Sequence, residues 1–209
     1  MLISTSILSI KNNIKANLNK LNNTTTDFIH LDIMDGKFVS NKTWSIDNIK
    51  TVLIDNKKPL DVHLMVQDVI KYIDDYSALK PEYITFHLEA CNDIAMVIDC
   101  IHQHGVKAGL SIKPTTDIKK LIPYLNTVDM VLLMSVEPGK GGQTFMASTY
   151  ERLNELANLK KEYNFLIEID GGINDIIISR LSHVDIAVVG SYITNSDNYQ
   201  LQIDRLKRE

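Results

Sequence analysis

The stretch 28-FIHLDIMDGKFVSN-41 decides how the rest of the chain is read. In an extended strand side chains alternate between two faces, so His30, Asp32 and Met34 share one face and Leu31 and Ile33 the other. An apolar back is ordinary for a strand. A histidine and a carboxylate side by side on its front need an environment. A half-exposed antiparallel strand would give them water. A strand covered on both faces would have to give them partners, because an unpaired buried charge costs several kcal/mol.

The spacing of similar runs along the chain chooses between these. Short apolar stretches recur at 2–8 (LISTSIL), 28–34, 60–66 (LDVHLMV), 83–89 (YITFHLE), 107–113 (KAGLSIK), 130–136 (MVLLMSV), 165–171 (FLIEIDG) and 186–191 (IAVVGS). Between them lie segments with apolar residues three or four apart, such as VIKYIDDYSAL and STYERLNELANLKKEY, the second opening at a Ser148 suited to capping a helix. Eight βα units in 209 residues predict one α/β domain over residues 1–209, a (β/α)8 TIM barrel at the small end of its size range. A doubly wound parallel sheet is the alternative. In the barrel, Leu31, Ile33, Val62, Leu64, Ile84, Phe86, Leu88, Ile167 and Ile169 face the helices. His30, Asp32, Asp61, His63, Thr85, His87, Glu89, Glu168 and Asp170 then point inward.

Four of the inward residues, His30, Asp32, His63 and Asp170, offer two nitrogens and two oxygens near the C-terminal ends of their strands. That donor set suits one divalent cation, Zn2+, Fe2+, Mn2+ or Co2+. His87, on the next strand, is expected as a packing or supporting neighbour, while His102, His104 and His183 fall at helix ends or in loops and are expected in solvent. Glycine supplies the second signal. VEPGKGGQTF, DGGI and GS follow the sixth, seventh and eighth runs, and loops after strands seven and eight are the recurrent phosphate site of such barrels. A phosphorylated substrate is therefore expected.

Composition narrows the function classes. Hydrophobic residues make up 44% and charged residues 23%, which is the balance of a folded globular chain. The net charge of −4 carries no basic stripe, so nucleic acid is not expected as a partner. Cys91 and Cys100 match neither a zinc ribbon nor a redox pair and are expected as buried free thiols in a reducing compartment. The N-terminus lacks the marks of a signal peptide, and no run approaches the ~18 apolar residues of a membrane span, so a cytoplasmic location is expected. No dinucleotide fingerprint or Schiff-base lysine motif asks for an organic cofactor.

Taken together, HLDIMDGKFVSN, DVHLMV, ITFHLEA, VEPGKGGQTF, DGGI and VVGS resemble the ribulose-phosphate 3-epimerase family, in order and across nearly the whole chain. The resemblance implies a ribulose-phosphate-binding type of barrel that interconverts D-ribulose 5-phosphate and D-xylulose 5-phosphate in the pentose phosphate pathway. It implies one metal held by His30, Asp32, His63 and Asp170, with Asp32 and Asp170 also the acid/base pair. It further implies that Ser6 touches substrate with His63, that Met34, Met65 and Met134 line the site, and that the phosphate meets Gly141, Gly142, Gly171, Gly172, Gly190 and Ser191. A homo-oligomer, dimer or hexamer, is implied as well.

Departures from the family pattern are Thr5 and Ser40 at proline positions, NKTWS after the second strand, Lys140 at an aromatic position and LSHVD before the eighth strand. They bear on loop rigidity and not on the proposed ligands. GKGGQ, flexible and beside the phosphate loops, is expected to act as a lid. A hexulose 6-phosphate epimerase, acting for example on allulose 6-phosphate, would keep the same ligands. Decarboxylases and aldol-type synthases on related barrels require a lysine where DIMDG has Met34, and a non-catalytic sugar-phosphate binder would not need the aspartate pair.

Overall fold

Each of the eight runs forms a strand in the computed structural model, which describes residues 1–207. The strands are β1 (Leu2–Ser6), β2 (Phe28–Met34), β3 (Leu60–Met65), β4 (Tyr83–His87), β5 (Lys107–Ile112), β6 (Met130–Met134), β7 (Leu166–Asp170) and β8 (Ile186–Val189). They pair in parallel in chain order, and β8 closes on β1. Around the sheet lie α1 (Ile14–Asn22), α2 (Ile46–Val52), α3 (Val69–Ser77), α4 (Ile94–Gln103), α5 (Thr149–Leu159), α6 (Asp175–Ile178), α7 (Ser191–Thr194) and α8 (Tyr199–Leu206). Among the described residues no helix is long and apolar enough to cross a membrane.

Helix starts follow local chemistry. The side chains of Ser45, Asp68 and Asp93 accept from Asn48 N, Lys71 N and Met96 N, satisfying donors that the first turn leaves open. Ser148 does not cap α5. Its backbone is already helical (φ −58°, ψ −18°), which turns the hydroxyl away from the free N–H groups. After β5 the crossover is a 3₁₀ segment, Ile118–Tyr124, and not an α-helix; it contains Pro123, which has no N–H to donate.

The helix-facing expectation holds for the strands. Leu31, Ile33, Val62, Leu64, Ile84, Phe86, Ile167 and Ile169 are all fully buried in one cluster with Leu18, Ile49, Ile73, Ile98, Leu156 and Ile203 from the surrounding helices. Burying each such side chain contributes about 1.5–3 kcal/mol. Strand four is shorter than expected. It ends at His87, and Leu88–Ala90 turns away as a 3₁₀ segment, so Leu88 is only half-buried and Glu89 leaves the barrel interior. The Glu89 carboxylate drives this by accepting Lys113 N at 2.9 Å and the Thr116 hydroxyl, across the loop after β5. Thr5 lies within β1 and not in a loop; its buried hydroxyl bonds that of Thr26 at 2.7 Å. Cys91 and Cys100 are free but half-buried, less enclosed than expected.

Alternate strands fill the interior. Phe28, Tyr83, Met130 and Ile186, from the even strands, pack with Leu166 into an apolar plug at the lower end, where Phe28 and Tyr83 meet edge to face at 5.9 Å. Above the plug the inward positions turn polar. The register sets His30 beside Asp61 and Asp32 beside His63, and each lies two residues further toward the C-terminal mouth than the last. On β5 the inward position beside Thr85 is Gly109, whose Cβ, if present, would lie 2.1 Å from Thr85 Oγ1. Glycine here makes room for its neighbour's branched side chain. Gly109→Ala is accordingly expected to lower stability by about 1–3 kcal/mol through overpacking. Thr85→Ala in the same chain should recover part of that loss in urea unfolding; strictly additive losses would show that the two do not collide.

Candidate active site

His30, Asp32, His63 and Asp170 come from β2, β3 and β7 to one place near the mouth, with one donor atom from each within 4.8 Å of the others. His30 Nε2 and His63 Nδ1 each lie 3.6 Å from the same oxygen, Asp32 Oδ1, and His63 Nδ1 lies 4.0 Å from Asp170 Oδ2. Neither ring nitrogen has a hydrogen-bond partner among the described residues, although both are fully buried. Two buried lone-pair-bearing nitrogens aimed between two carboxylates, too far for hydrogen bonds, form a donor set that could hold a divalent cation at the usual ~2.0–2.2 Å bond lengths. A second inward cluster, His30, Asp61 and Glu168, lies just beneath.

Each donor is oriented from behind. His30 Nδ1 lies 2.6 Å from Asp61 Oδ2, which also accepts from Ser4 Oγ at 2.8 Å. Ser6 Oγ donates to Asp32 Oδ2 at 2.7 Å and accepts from Leu8 N at 3.2 Å. Thr43 Oγ1 donates to the Asp32 carbonyl and accepts from Met34 N, both at 2.9 Å, bracing the end of β2. Ser135 donates through its hydroxyl to the carbonyls of Asp170 (2.7 Å) and Gly171 (2.6 Å). Ser4, Thr43 and Ser135 were not singled out from the sequence. For Ser4 a signal existed, since it stands two residues before Ser6 on the same inward face. For Thr43 and Ser135 none did, because loop hydroxyls are common.

Burial and charge push the two aspartates apart. Burial works to raise Asp32, but the charge of His30 and the closeness of both imidazole rings outweigh it and hold Asp32 well below the usual carboxylate range. Asp170 is raised to about 7, first by burial and then by the charge of Asp32. His30 is raised well above its ordinary value because Asp61 and Asp32 more than offset its burial, whereas burial lowers His63. Glu168 is fully buried with neither oxygen hydrogen-bonded, and burial plus the neighbouring Asp61 charge raise it strongly, which favours its neutral form.

Above this cluster opens a cavity of about 270 Å³. Ser6, Asp32, Met34, Met65, Met134 and Asp170 line its inner part, and Gly141, Gly142, Gly171, Gly172, Gly190 and Ser191 line its rim. His30 and His63 lie beneath and reach the cavity only through the carboxylates they face. His102, His104 and His183 are exposed. Gly172 has φ +64°, and a Cβ there would sit 2.4 Å from Phe145 N, so only glycine fits so tight a loop. Among the described residues the N–H groups of Gly172 and Gly190 donate to no other group of the chain, leaving them free to meet an anion. Lys140 stands exposed on the rim. The loops after β2 and β6 are joined there, with Asn41 Nδ2 donating to the Gly139 carbonyl at 2.6 Å.

Solved structures share this architecture at low sequence identity. A 3-hexulose-6-phosphate synthase superposes with a TM-score of 0.69 over 99% of this chain and 98% of its own at 16% identity. The tryptophan synthase alpha subunit from Campylobacter jejuni gives 0.66 over 99% and 94% at 15% identity. These likenesses establish the barrel and nothing of its chemistry. Sequence comparison reaches further: the ribulose-phosphate 3-epimerase of Helicobacter pylori (strain J99) is 37% identical over 188 residues, 88% of this chain and 87% of that protein. The ribulose-phosphate 3-epimerase of Escherichia coli (strain K12) is 36% identical over 188 residues, 88% of this chain and 84% of that protein. The profile described as the ribulose-phosphate 3 epimerase family matches residues 2–194. A match spanning every strand of the barrel and all the loops around its mouth leaves one conclusion, that this chain belongs to the ribulose-phosphate 3-epimerase family.

Proposed function

We propose that this chain interconverts D-ribulose 5-phosphate and D-xylulose 5-phosphate by inverting C3, with Asp32 and Asp170 as its two acid/base groups. The observation that carries the reading is a pair of carboxylates brought from separate strands to the floor of a cavity rimmed by unpaired backbone donors. Inverting a carbon next to a ketone requires taking its proton from one face and returning a proton to the other, through a planar enediolate. Whichever aspartate is ionised is suited to remove the C3 proton from its side, and the other, when protonated, to return one from the opposite side. From the other epimer the roles reverse. β2 and β7 are separated around the barrel by β8 and β1, so the two groups approach from distinct directions.

Met34, Met65 and Met134 surround the reacting carbons with polarisable contact and carry no exchangeable proton. The phosphate is assigned to the backbones of Gly141, Gly142, Gly171, Gly172, Gly190 and Ser191. His30, Asp32, His63 and Asp170 would hold Zn2+, Fe2+, Mn2+ or Co2+, and such a cation supplies Lewis acidity that stabilises negative charge on the deprotonated sugar by several kcal/mol. Met34 argues against a decarboxylase or aldol-type synthase: it is 2% exposed and offers the cavity no ammonium.

Two experiments test this reading. In the metal-free chain Asp170 carries a proton below about pH 7, and a cation has to displace it. Metal affinity, measured by competition with a chelator, should rise by at least ~10-fold per unit between pH 5 and pH 7; a flat profile would remove Asp170 from the ligand set. Asp170→Asn, loaded with metal, should lose ~10²- to 10⁴-fold or more in epimerisation. In D2O it should exchange the C3 proton of only one epimer while the unaltered protein labels both. Near-normal interconversion by that loaded variant would end the two-base mechanism.

A further inference from the structure

His87 is fully buried, lines no part of the cavity and has no part in the chemistry above. Its surroundings are nevertheless specific. Its Nε2 lies 2.9 Å from His63 Nε2, its Nδ1 lies 3.3 Å from Glu89 Oε2, and Phe38 packs on its ring with centroids 4.9 Å apart. Glu89 is held in turn through its other oxygen by Lys113 N and the Thr116 hydroxyl.

Proton counting along this row leaves a single arrangement. Two imidazole nitrogens at hydrogen-bonding distance share one proton, so one donates and the other accepts. His63 turns its opposite edge, Nδ1, toward Asp32 and Asp170, where it has no hydrogen bond. A nitrogen that ligates a cation uses its lone pair, so His63 carries its proton on Nε2 and donates it to His87 Nε2. His87 therefore cannot bear a proton on Nε2; its own sits on Nδ1 and goes to the Glu89 carboxylate. His30 is backed differently. Its Nδ1 meets Asp61 directly at 2.6 Å, leaving Nε2 for the cation.

The geometry points to His87 and Glu89 as positioning residues that fix the tautomer and ring orientation of His63, a carboxylate backing relayed through a second imidazole. The two ligand histidines are then held in opposite tautomers, His30 protonated on Nδ1 and His63 on Nε2. Such outer partners change metal affinity by about 10- to 100-fold when removed. The relay also ties His63 to the loop after β5 through Lys113 and Thr116, and to the loop after β2 through Phe38.

This inference rests on the metal reading above, and Zn2+ supplies a test that separates the two. In the Zn2+-loaded protein labelled with 15N-histidine, long-range proton–nitrogen correlation should show His63 protonated on Nε2 and His87 on Nδ1. Chelator competition should give Zn2+ affinity ~10- to 100-fold weaker in His87→Leu and Glu89→Ala. His87→Gln, whose side-chain oxygen can accept from His63 Nε2, should stay within a few-fold of the unaltered protein. A proton on His87 Nε2, unchanged affinity in Glu89→Ala, or a glutamine variant as weak as the leucine one would overturn the relay while leaving the metal site standing. No Zn2+-induced change in the His30 and His63 signals would overturn both. Should His87→Leu fail to fold, the tautomers of the unaltered protein and Glu89→Ala, on a surface turn, still decide.

Discussion

A 2.6 Å contact between His30 and Asp61, both enclosed in a sheet covered on its two faces, is the constraint around which the upper barrel is arranged. Ionisable groups in such a place survive only when paired and hydrogen-bonded. Asp61 meets that demand by accepting from Ser4 as well as His30, and burial favours the neutral form of Glu168 beside it. The pair locks the His30 ring, and the locked ring aims its other nitrogen upward at Asp32. Asp61→Ala would leave an unbacked imidazole in the core, and the geometry of the site would lose its anchor.

The same burial that makes pairing compulsory also shifts the acidities of the two aspartates. Asp32 lies between two histidines and a serine hydroxyl and is stabilised as an anion; Asp170, facing that anion in the same enclosed space, is raised to about 7. In water two aspartates would titrate alike. Here their different surroundings on β2 and β7 set their acidities apart. The polarity of the interior is graded to suit: an apolar plug of Phe28, Tyr83, Met130 and Ile186 below, paired charges in the middle, methionines and free backbone donors at the mouth.

The sequence carried the barrel because strand alternation is local. FIHLDIM, LDVHLMV and FLIEIDG each state which residues share a face, and closure of the sheet leaves those faces only one assignment. At the end of β4, where expectation and structure part, a contact from elsewhere in the chain intervened. YITFHLE reads as an unbroken strand through Glu89, but that carboxylate is captured by Lys113 N and the Thr116 hydroxyl and pulled out of register. STYERLNELANLKKEY does begin a helix at the expected place, yet the Ser148 backbone is already helical, so its hydroxyl does not cap. The first outcome is not written in the few residues around it; the second accompanies the turn just before the helix, where Thr149 N and Tyr150 N donate to the carbonyls of Met146 and Ala147.

By itself, then, the sequence determined the strand faces, the glycines that rim the cavity and the identity of the residues at the mouth, since these depend on neighbours along the chain and on what each side chain can do. Only the tertiary structure decided how the two carboxylates differ, which nitrogen of each histidine is free, that Ser4, Thr43, Ser135 and Glu89 stand behind the site, and which partners His87 meets in the supporting place expected of it. Those properties belong to distances between β1, β2, β3, β4 and β7 that closure of the barrel sets, and electrostatic interaction and hydrogen bonding depend on distance through space and not on separation in sequence.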